Sequence, residues 1–174
     1  TFVKRYNPEA VYFETDRWRI GIAPSKTGFK HISYVNSTPS YDGGTHLDYV
    51  TSKIVDSIRT KIEKLTKQTV KPGDIKGGLT VLIDCNINNP RYNSQTKEKL
   101  ITQPSQYGST LELDDKFVKK LQTCAAVRDI VEWANRKKDL DELKKVEQQD
   151  QQARRAGFYD IPKYRPATSK DRSN

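Results

Sequence analysis

The chain has 174 residues, 31 Lys+Arg against 22 Asp+Glu, a net charge of +9, two cysteines and no methionine. That length carries one domain with a real core. No stretch approaches the ~20 apolar residues of a membrane-spanning helix, so no membrane partner is expected. The excess of positive charge points to a polyanionic partner, nucleic acid first, or equally to a solvated basic surface that keeps the protein soluble. Thr1-Phe2-Val3-Lys4 opens no apolar run of the signal-peptide kind. The absence of Met predicts a processed product or a fragment, and the lack of a signal-peptide run and of an apolar span predicts that it is soluble and intracellular. Cys85 and Cys124 have no Cys or His at ligand spacing, and His31 and His46 are the only histidines. The two cysteines read as buried free thiols in a reducing compartment, and no metal site is expected.

Arg17 to Ile22 alternates, with Trp18, Ile20 and Ile22 on one face, which predicts a half-buried strand. Pro24 to Gly28 is a turn and His31 to Asn36 a second strand, so the two are expected to pair as an antiparallel hairpin. Asn36 to Gly44, rich in Asn, Ser, Thr, Pro and Gly, is a loop. A helix begins at Thr45, whose hydroxyl is expected to cap it, with Asp48 at the capping-box position. Leu47, Val50, Ile54, Ile58, Ile62 and Leu65 form its apolar stripe, and the helix ends before Lys71-Pro72-Gly73.

Lys71 to Gly78 lacks the spacing and the Gly-Lys-Ser/Thr end of a phosphate-binding P-loop, and reads as a turn. Leu79 to Ile87 gives the strongest alternation in the chain and is a strand, ended by Asn88-Asn89-Pro90. Arg91 to Gly108 has no periodicity. A loop of that length in a compact domain is functional or disordered. Ser109 to Leu113 is expected to be a short strand.

Asp114 or Asp115 caps a second helix, with a stripe of Phe117, Leu121, Cys124, Arg128 and Val131. Helical composition continues to Ala156, with Gly157 as its stop. Unbroken, this would be a helix of about 40 residues, ~60 Å long. Its second half is too charged to bury a face, so it is expected to project. The order β-β-α-β-loop-β-α gives a mixed sheet with helices on one face.

Single motifs are weak. Gln95-Thr96-Lys97 places an amide and a mobile cation in the long loop, where they could reach a phosphate, yet a loop lysine is usually just solvated. Gly43-Gly44 before a helix could hold phosphate on free N–H groups, or could be a tight turn. The tyrosines at 12, 34, 49 and 107 lack a neighbouring Arg/His pair that would make any of them a nucleophile. No Ser/His/Asp or Cys/His arrangement stands out.

Taken in order the motifs say more. Ile32-Ser33-Tyr34-Val35-Asn36-Ser37 and Gly43-Gly44-Thr45-His46-Leu47-Asp48-Tyr49-Val50 are followed by Val70-Lys71-Pro72 and Ile87-Asn88-Asn89-Pro90. Ser94-Gln95-Thr96-Lys97-Glu98-Lys99-Leu100, Gln103-Pro104 and Tyr107-Gly108-Ser109-Thr110 continue in register. This run, from Trp18 to Trp133, resembles the transducer domain of the type IIA DNA topoisomerase ATPase subunit in its eukaryotic-type wording. Its short connections most resemble the large subunit of the T-even bacteriophage enzymes.

The resemblance implies an α/β (α+β) fold, a two-layer sandwich like domain 2 of ribosomal protein S5, with a left-handed β-α-β crossover through the helix from Thr45 to Leu65 and a long C-terminal exit helix. It implies residues 1–16 as a connection from an ATP-binding domain and 17–135 as the transducer. Residues 136–157 would be the projecting part of the helix and 158–174 a linker toward a TOPRIM domain. Gln95 and Lys97 would reach the γ-phosphate of ATP held by the neighbouring domain, with Lys97 stabilising charge in the transition state. Mg2+ would be held by the full-length enzyme and not by this segment, which alone should not hydrolyse ATP.

DNA would be met by Lys64, Lys67, Lys71, Arg154 and Arg155, although the lysines from Lys61 to Lys71 are spread where some relatives cluster them. Further partners would be the ATP-binding and the TOPRIM/cleavage domains, with a homodimer formed through an N-terminal gate. The compartment would be the host cytoplasm for a phage enzyme and the nucleus for a eukaryotic one. The weighed alternatives are the equivalent domain of a MutL-type mismatch-repair ATPase and a standalone basic nucleic-acid-binding module. Stacking aromatics interleaved with basic residues on a strand, which the module would need, are missing.

Overall fold

The computed structural model describes residue 7 and residues 10–66 and 69–159, the side chains of residues 66 and 153–159 excepted. The chain divides into one compact unit, Thr1–Ala134, and a second, Asn135–Asn174. The first is a mixed α+β layer of five strands: β1 (Val11–Glu14), β2 (Trp18–Pro24), β3 (Lys30–Val35), β4 (Thr38–Pro39) and β5 (Leu79–Cys85), in the order β1-β2-β5-β3-β4.

The expected hairpin between β2 and β3 is not formed. β5 lies between them, antiparallel to β2 from Trp18↔Cys85 to Pro24↔Leu79 and parallel to β3 from Lys30↔Thr80 to Val35↔Cys85. The reason is burial. Leu79, Val81, Ile83 and Cys85 face the core, and Leu82 on the other face is equally covered. A strand apolar on both faces is most stable at the sheet's centre. Parallel neighbours need a crossover, and α1 (Thr45–Thr66) supplies it between β3 and β5, as the resemblance implied. β1, unforeseen by the alternation analysis, closes one edge through Val11↔Ile22 and Phe13↔Ile20. It lies within the residues read as a connecting segment.

Leu47, Val50, Ile54, Ile58 and Ile62 of α1 are buried in one core cluster with the inward residues of β2 and β5, each contributing ~2 kcal/mol. Leu65, expected on that stripe, is 59% exposed. Lys71 to Gly78 is not a turn: Pro72–Gly77 forms the short helix α2, with Pro72 in its first turn and Ile75 fully buried. Proline's fixed φ suits that position, and Ile75 anchors the helix.

Ser109 to Leu113 forms no strand. Its polar groups bond to side chains instead: Leu111 N–H donates to the Tyr49 hydroxyl and Trp18 Nε1–H to Ser109 Oγ. Asp114 caps α3 (Asp115–Thr123) by accepting from Phe117 N–H at 2.8 Å. The helix expected to run unbroken to Ala156 stops at Cys124, whose ψ of 164° is extended. A new helix, α4 (Ala125–Tyr159), follows and runs past Gly157. The break re-aims the apolar stripe. Ala126, Val127, Ile130 and Ala134 are buried, while Arg128 is exposed. In the second unit, residues 135–152 are exposed throughout, Leu140, Leu143 and Val146 included. Residues 160–174, expected to form a linker, lie outside the described residues.

Candidate functional site

The stretch from Arg91 to Thr102, without periodicity in sequence, folds back on itself as an arm. Tyr92 and Leu100 form an antiparallel bridge. Asn93 N–H donates to the Lys99 carbonyl at 3.1 Å, and Lys99 N–H returns a bond to Asn93 Oδ1 at 3.2 Å. Ile101 N–H donates to the Arg91 carbonyl at 2.9 Å. At the tip Lys97 N–H donates to the Ser94 carbonyl, and the Ser94 and Thr96 hydroxyls are 2.6 Å apart. Closing so tight a tip requires Lys97 to take a left-handed φ of +59°, at a cost of about 1 kcal/mol for a residue with a Cβ. Gln95, Thr96 and Lys97 are exposed. Among the described residues, neither the Gln95 amide nor the Lys97 ammonium has a hydrogen-bond or ion-pair partner. An amide and a mobile cation presented together suit the oxygens of a phosphate.

Gly43 and Gly44 turn out to be the arm's dock. Leu100 N–H donates to the Gly43 carbonyl at 3.0 Å, Thr45 N–H to the Leu100 carbonyl at 3.1 Å and Asp42 N–H to the Glu98 carbonyl at 3.0 Å. Gly43 N–H donates to the Ser40 carbonyl. With the Gly43 and Thr45 donors engaged inside the fold and both glycines buried, the geometry here is that of a tight turn. The capping expectation for Thr45 fails. Its hydroxyl donates to the Thr102 carbonyl at 2.6 Å and accepts from Tyr107 OH at 2.9 Å. Asp48, instead of closing a capping box, lies 3.9 Å from Lys76 Nζ.

The chain on either side of the arm is fixed as firmly. Asn36, at φ +50°, accepts from Ile87 N–H at 2.8 Å and donates to the Ile87 carbonyl at 2.9 Å. Arg17 Nη1 donates to Asn88 Oδ1 at 3.0 Å, and Asn88 N–H donates to the Tyr107 carbonyl. Tyr107 is fully buried, its ring 5.9 Å from that of Trp18 and 5.8 Å from that of Tyr49. Burial pushes its phenol up to about 12, so it remains a donor at neutral pH. These anchors were missed in sequence. Their only signal was that Asn36, Asn88 and Tyr107 stand inside the ordered motif run.

His46, in the first turn of α1, is fully buried, and among the described residues neither of its ring nitrogens has a hydrogen-bond partner. Burial first, and His31 second, push its pKa down to about 4, so the ring is neutral. Burial likewise pushes the Cys85 thiol up, and Cys85 and Cys124 are both free, the latter only half-buried.

Of the lysines expected at DNA, Lys64 lies far along α1 from the arm's dock at Thr45. Lys64 and Lys71 are exposed, and Lys64 stands 19 residues along α1 from Thr45, ~28 Å at 1.5 Å per residue. Lys67 and the side chains of Arg154 and Arg155 lie outside the described residues. Among the described residues no group of three or more His, Cys, Asp or Glu gathers as a metal-ligand set. No helix there is long and apolar enough to cross a membrane.

The chain is similar to the ATPase region of type II topoisomerases. Residues 3–150 match the family model described as DNA gyrase B, and the chain belongs to that family. It is 40% identical over 134 residues to DNA topoisomerase 2 top-2 of Caenorhabditis elegans, an alignment of 75% of this chain and 9% of that protein. It is 38% identical over 120 residues to human DNA topoisomerase 2-beta, covering 68% of this chain and 7% of that one. The chain thus spans less than a tenth of the length of these relatives.

Among solved structures, the ATPase and transducer domains of DNA topoisomerase II from Balamuthia mandrillaris align with a TM-score of 0.72 at 34% identity, over 79% of this chain and 37% of that one. The ATPase region of Saccharomyces cerevisiae topoisomerase II aligns with a TM-score of 0.68 at 33% identity, over 77% of this chain and 34% of that one. Membership in this family favours the topoisomerase reading over a MutL-type domain or a standalone module.

Proposed function

We propose that this chain is the transducer segment of an ATP-hydrolysing type II DNA topoisomerase, and that its Arg91–Thr102 arm senses the γ-phosphate of ATP bound by a neighbouring domain. One observation carries the reading: an exposed amide and an exposed ammonium, Gln95 and Lys97, top an arm whose base is bonded into the core. Such a cation acts by position and charge alone, with no covalent step, stabilising negative charge as the terminal phosphoryl group departs. Loss of that group would remove the arm's contact, and the change would pass through the docked α1 to the rest of the enzyme and so to DNA strand passage. Mg2+ would be held by the ATP-binding domain. Tyr41 and Ile101, 75% and 47% exposed beside the arm's base, give that domain an apolar footing.

The same reading assigns DNA contacts to Lys64, Lys67, Lys71, Arg154 and Arg155, to be seen as a shallower salt dependence of binding when they are neutralised. It also includes TOPRIM and cleavage domains beyond α4, a homodimer, and the T-even bacteriophage type suggested by the short connections. The test is Lys97→Ala in the ATP-hydrolysing enzyme carrying this segment. Turnover should fall on the order of 10²-fold with the circular dichroism of the protein unchanged. Unaltered turnover would remove Lys97 from the chemistry and end the reading.

A further inference from the structure

At its base the arm is tied to the sheet and to α1 by a single chain of hydroxyl hydrogen bonds. Tyr107 OH is 2.9 Å from Thr45 Oγ1, which is 2.6 Å from the Thr102 carbonyl; Thr102 Oγ1 accepts from Arg91 N–H at 2.7 Å. The direction of the chain is fixed by chemistry. A carbonyl can only accept, so the Thr45 proton points to Thr102. Thr45 can then only accept from Tyr107, whose own proton has one place to go. No member can rotate without leaving a polar group unpaired.

Thr102 and Tyr107 are buried, at 3% and 0% exposure, and Thr45 is half-buried. In such surroundings an unmade bond is expensive and linked bonds polarise one another. The chain joins both legs of the arm, through Arg91 and Thr102, to the first residue of the crossover helix. Through Tyr107 it reaches the ring cluster of Trp18 and Tyr49.

We infer that Thr45 and Tyr107 are positioning residues for the phosphate-sensing arm, holding its base at the angle from which Lys97 meets the phosphate. The inference rests on the role proposed above for Lys97. Neither residue touches nucleotide; each acts through the arm. An error of about 1 Å at the reacting group costs up to ~10²-fold in rate, and a loosened base is multiplied along the arm's length.

The experiment is a set of steady-state ATPase measurements on the enzyme carrying this segment. Tyr107→Phe keeps the ring packing and removes one proton donor; Thr45→Val keeps the shape and removes the hydroxyl. Each should lower kcat about tenfold while KM for ATP stays within about twofold, and Thr45→Ser, which restores the hydroxyl, should recover most of the loss. In a Gln95→Ala/Lys97→Ala background neither substitution should lower kcat further, because the groups being positioned are gone. An equal fractional loss in both backgrounds would show a purely structural chain and overturn the inference, as would wild-type kinetics in Tyr107→Phe and Thr45→Val. If Lys97→Ala by itself leaves turnover intact, the sensing role falls first and this inference with it, an outcome seen separately from the others. Should Tyr107→Phe fold poorly, Thr45→Val and its Ser counterpart carry the comparison.

Discussion

Gly44 and Leu100 pair in parallel, 56 positions apart in sequence, so closely that a Cβ on Gly44 would lie 2.2 Å from the Leu100 carbonyl oxygen and 2.6 Å from its nitrogen. The φ of Gly44 is +125°, a conformation that residues with a Cβ rarely adopt. The glycine is therefore required twice, by its own backbone and by the backbone it touches. Leu100 is buried at the root of the arm, so this contact sets where the arm leaves the core.

Gly44→Ala should destabilise the chain by about 3 kcal/mol or more, combining backbone strain with disruption of the Leu100 pairing. Gly28 supplies the control. Its φ is +95°, but a Cβ there would meet nothing within 4 Å. Gly28→Ala should cost only the conformational part, ~1–2 kcal/mol. Urea unfolding of the two variants separates the terms. Equal losses would mean that the approach to Leu100 is not tight.

Lys97 makes the opposite prediction, because under the proposed sensing role its strain serves the site and not the fold. Its left-handed φ of +59° is one that glycine adopts freely. Lys97→Gly should leave stability equal or higher, by up to ~1 kcal/mol, while removing the exposed ammonium and lowering ATP turnover as far as Lys97→Ala does. Thermal unfolding and ATPase rates on one preparation check both halves. A clear loss of stability would show that the lysine side chain supports the fold.

His46 predicts a pH dependence whose sign is fixed by its burial. Its pKa in the fold is pushed down to about 4, against ~6.5 in an unfolded chain. Between those values the unfolded state binds a proton that the native state does not, so stability falls as pH falls. The contribution is intact above about pH 6.5 and lost by about pH 4, a total on the order of 3 kcal/mol. His46→Leu should flatten the stability profile between pH 7 and 4.5, measured by urea unfolding at several pH values. A slope unchanged by the substitution would assign the effect to other groups.

What the sequence by itself determined is local. Periodicity marked the buried face of α1 and the inward residues of β2 and β5, and residue type placed a helix cap at Asp114 or Asp115, of which the structure uses Asp114. The ordered motif run, from Ile32 to Thr110, pointed to the family. These features depend on residues a few positions apart, where spacing and side-chain chemistry suffice.

Tertiary structure decided the rest. Alternation tells which face of a strand is covered but not which edge is paired, so only packing could insert β5 between β2 and β3. Helical composition runs straight through Cys124, and the chain breaks there because the apolar residues on its two sides lie on stripes that no single straight helix aligns. Thr45 looked like a cap because its short-range pattern is that of one. Its hydroxyl goes instead to partners 57 and 62 residues away, a choice that leaves no trace in the residues next to it. The arm belongs to the same class. Without periodicity it looks like loop in sequence, and it acquires shape only from backbone bonds to a helix end that precedes it by half a domain.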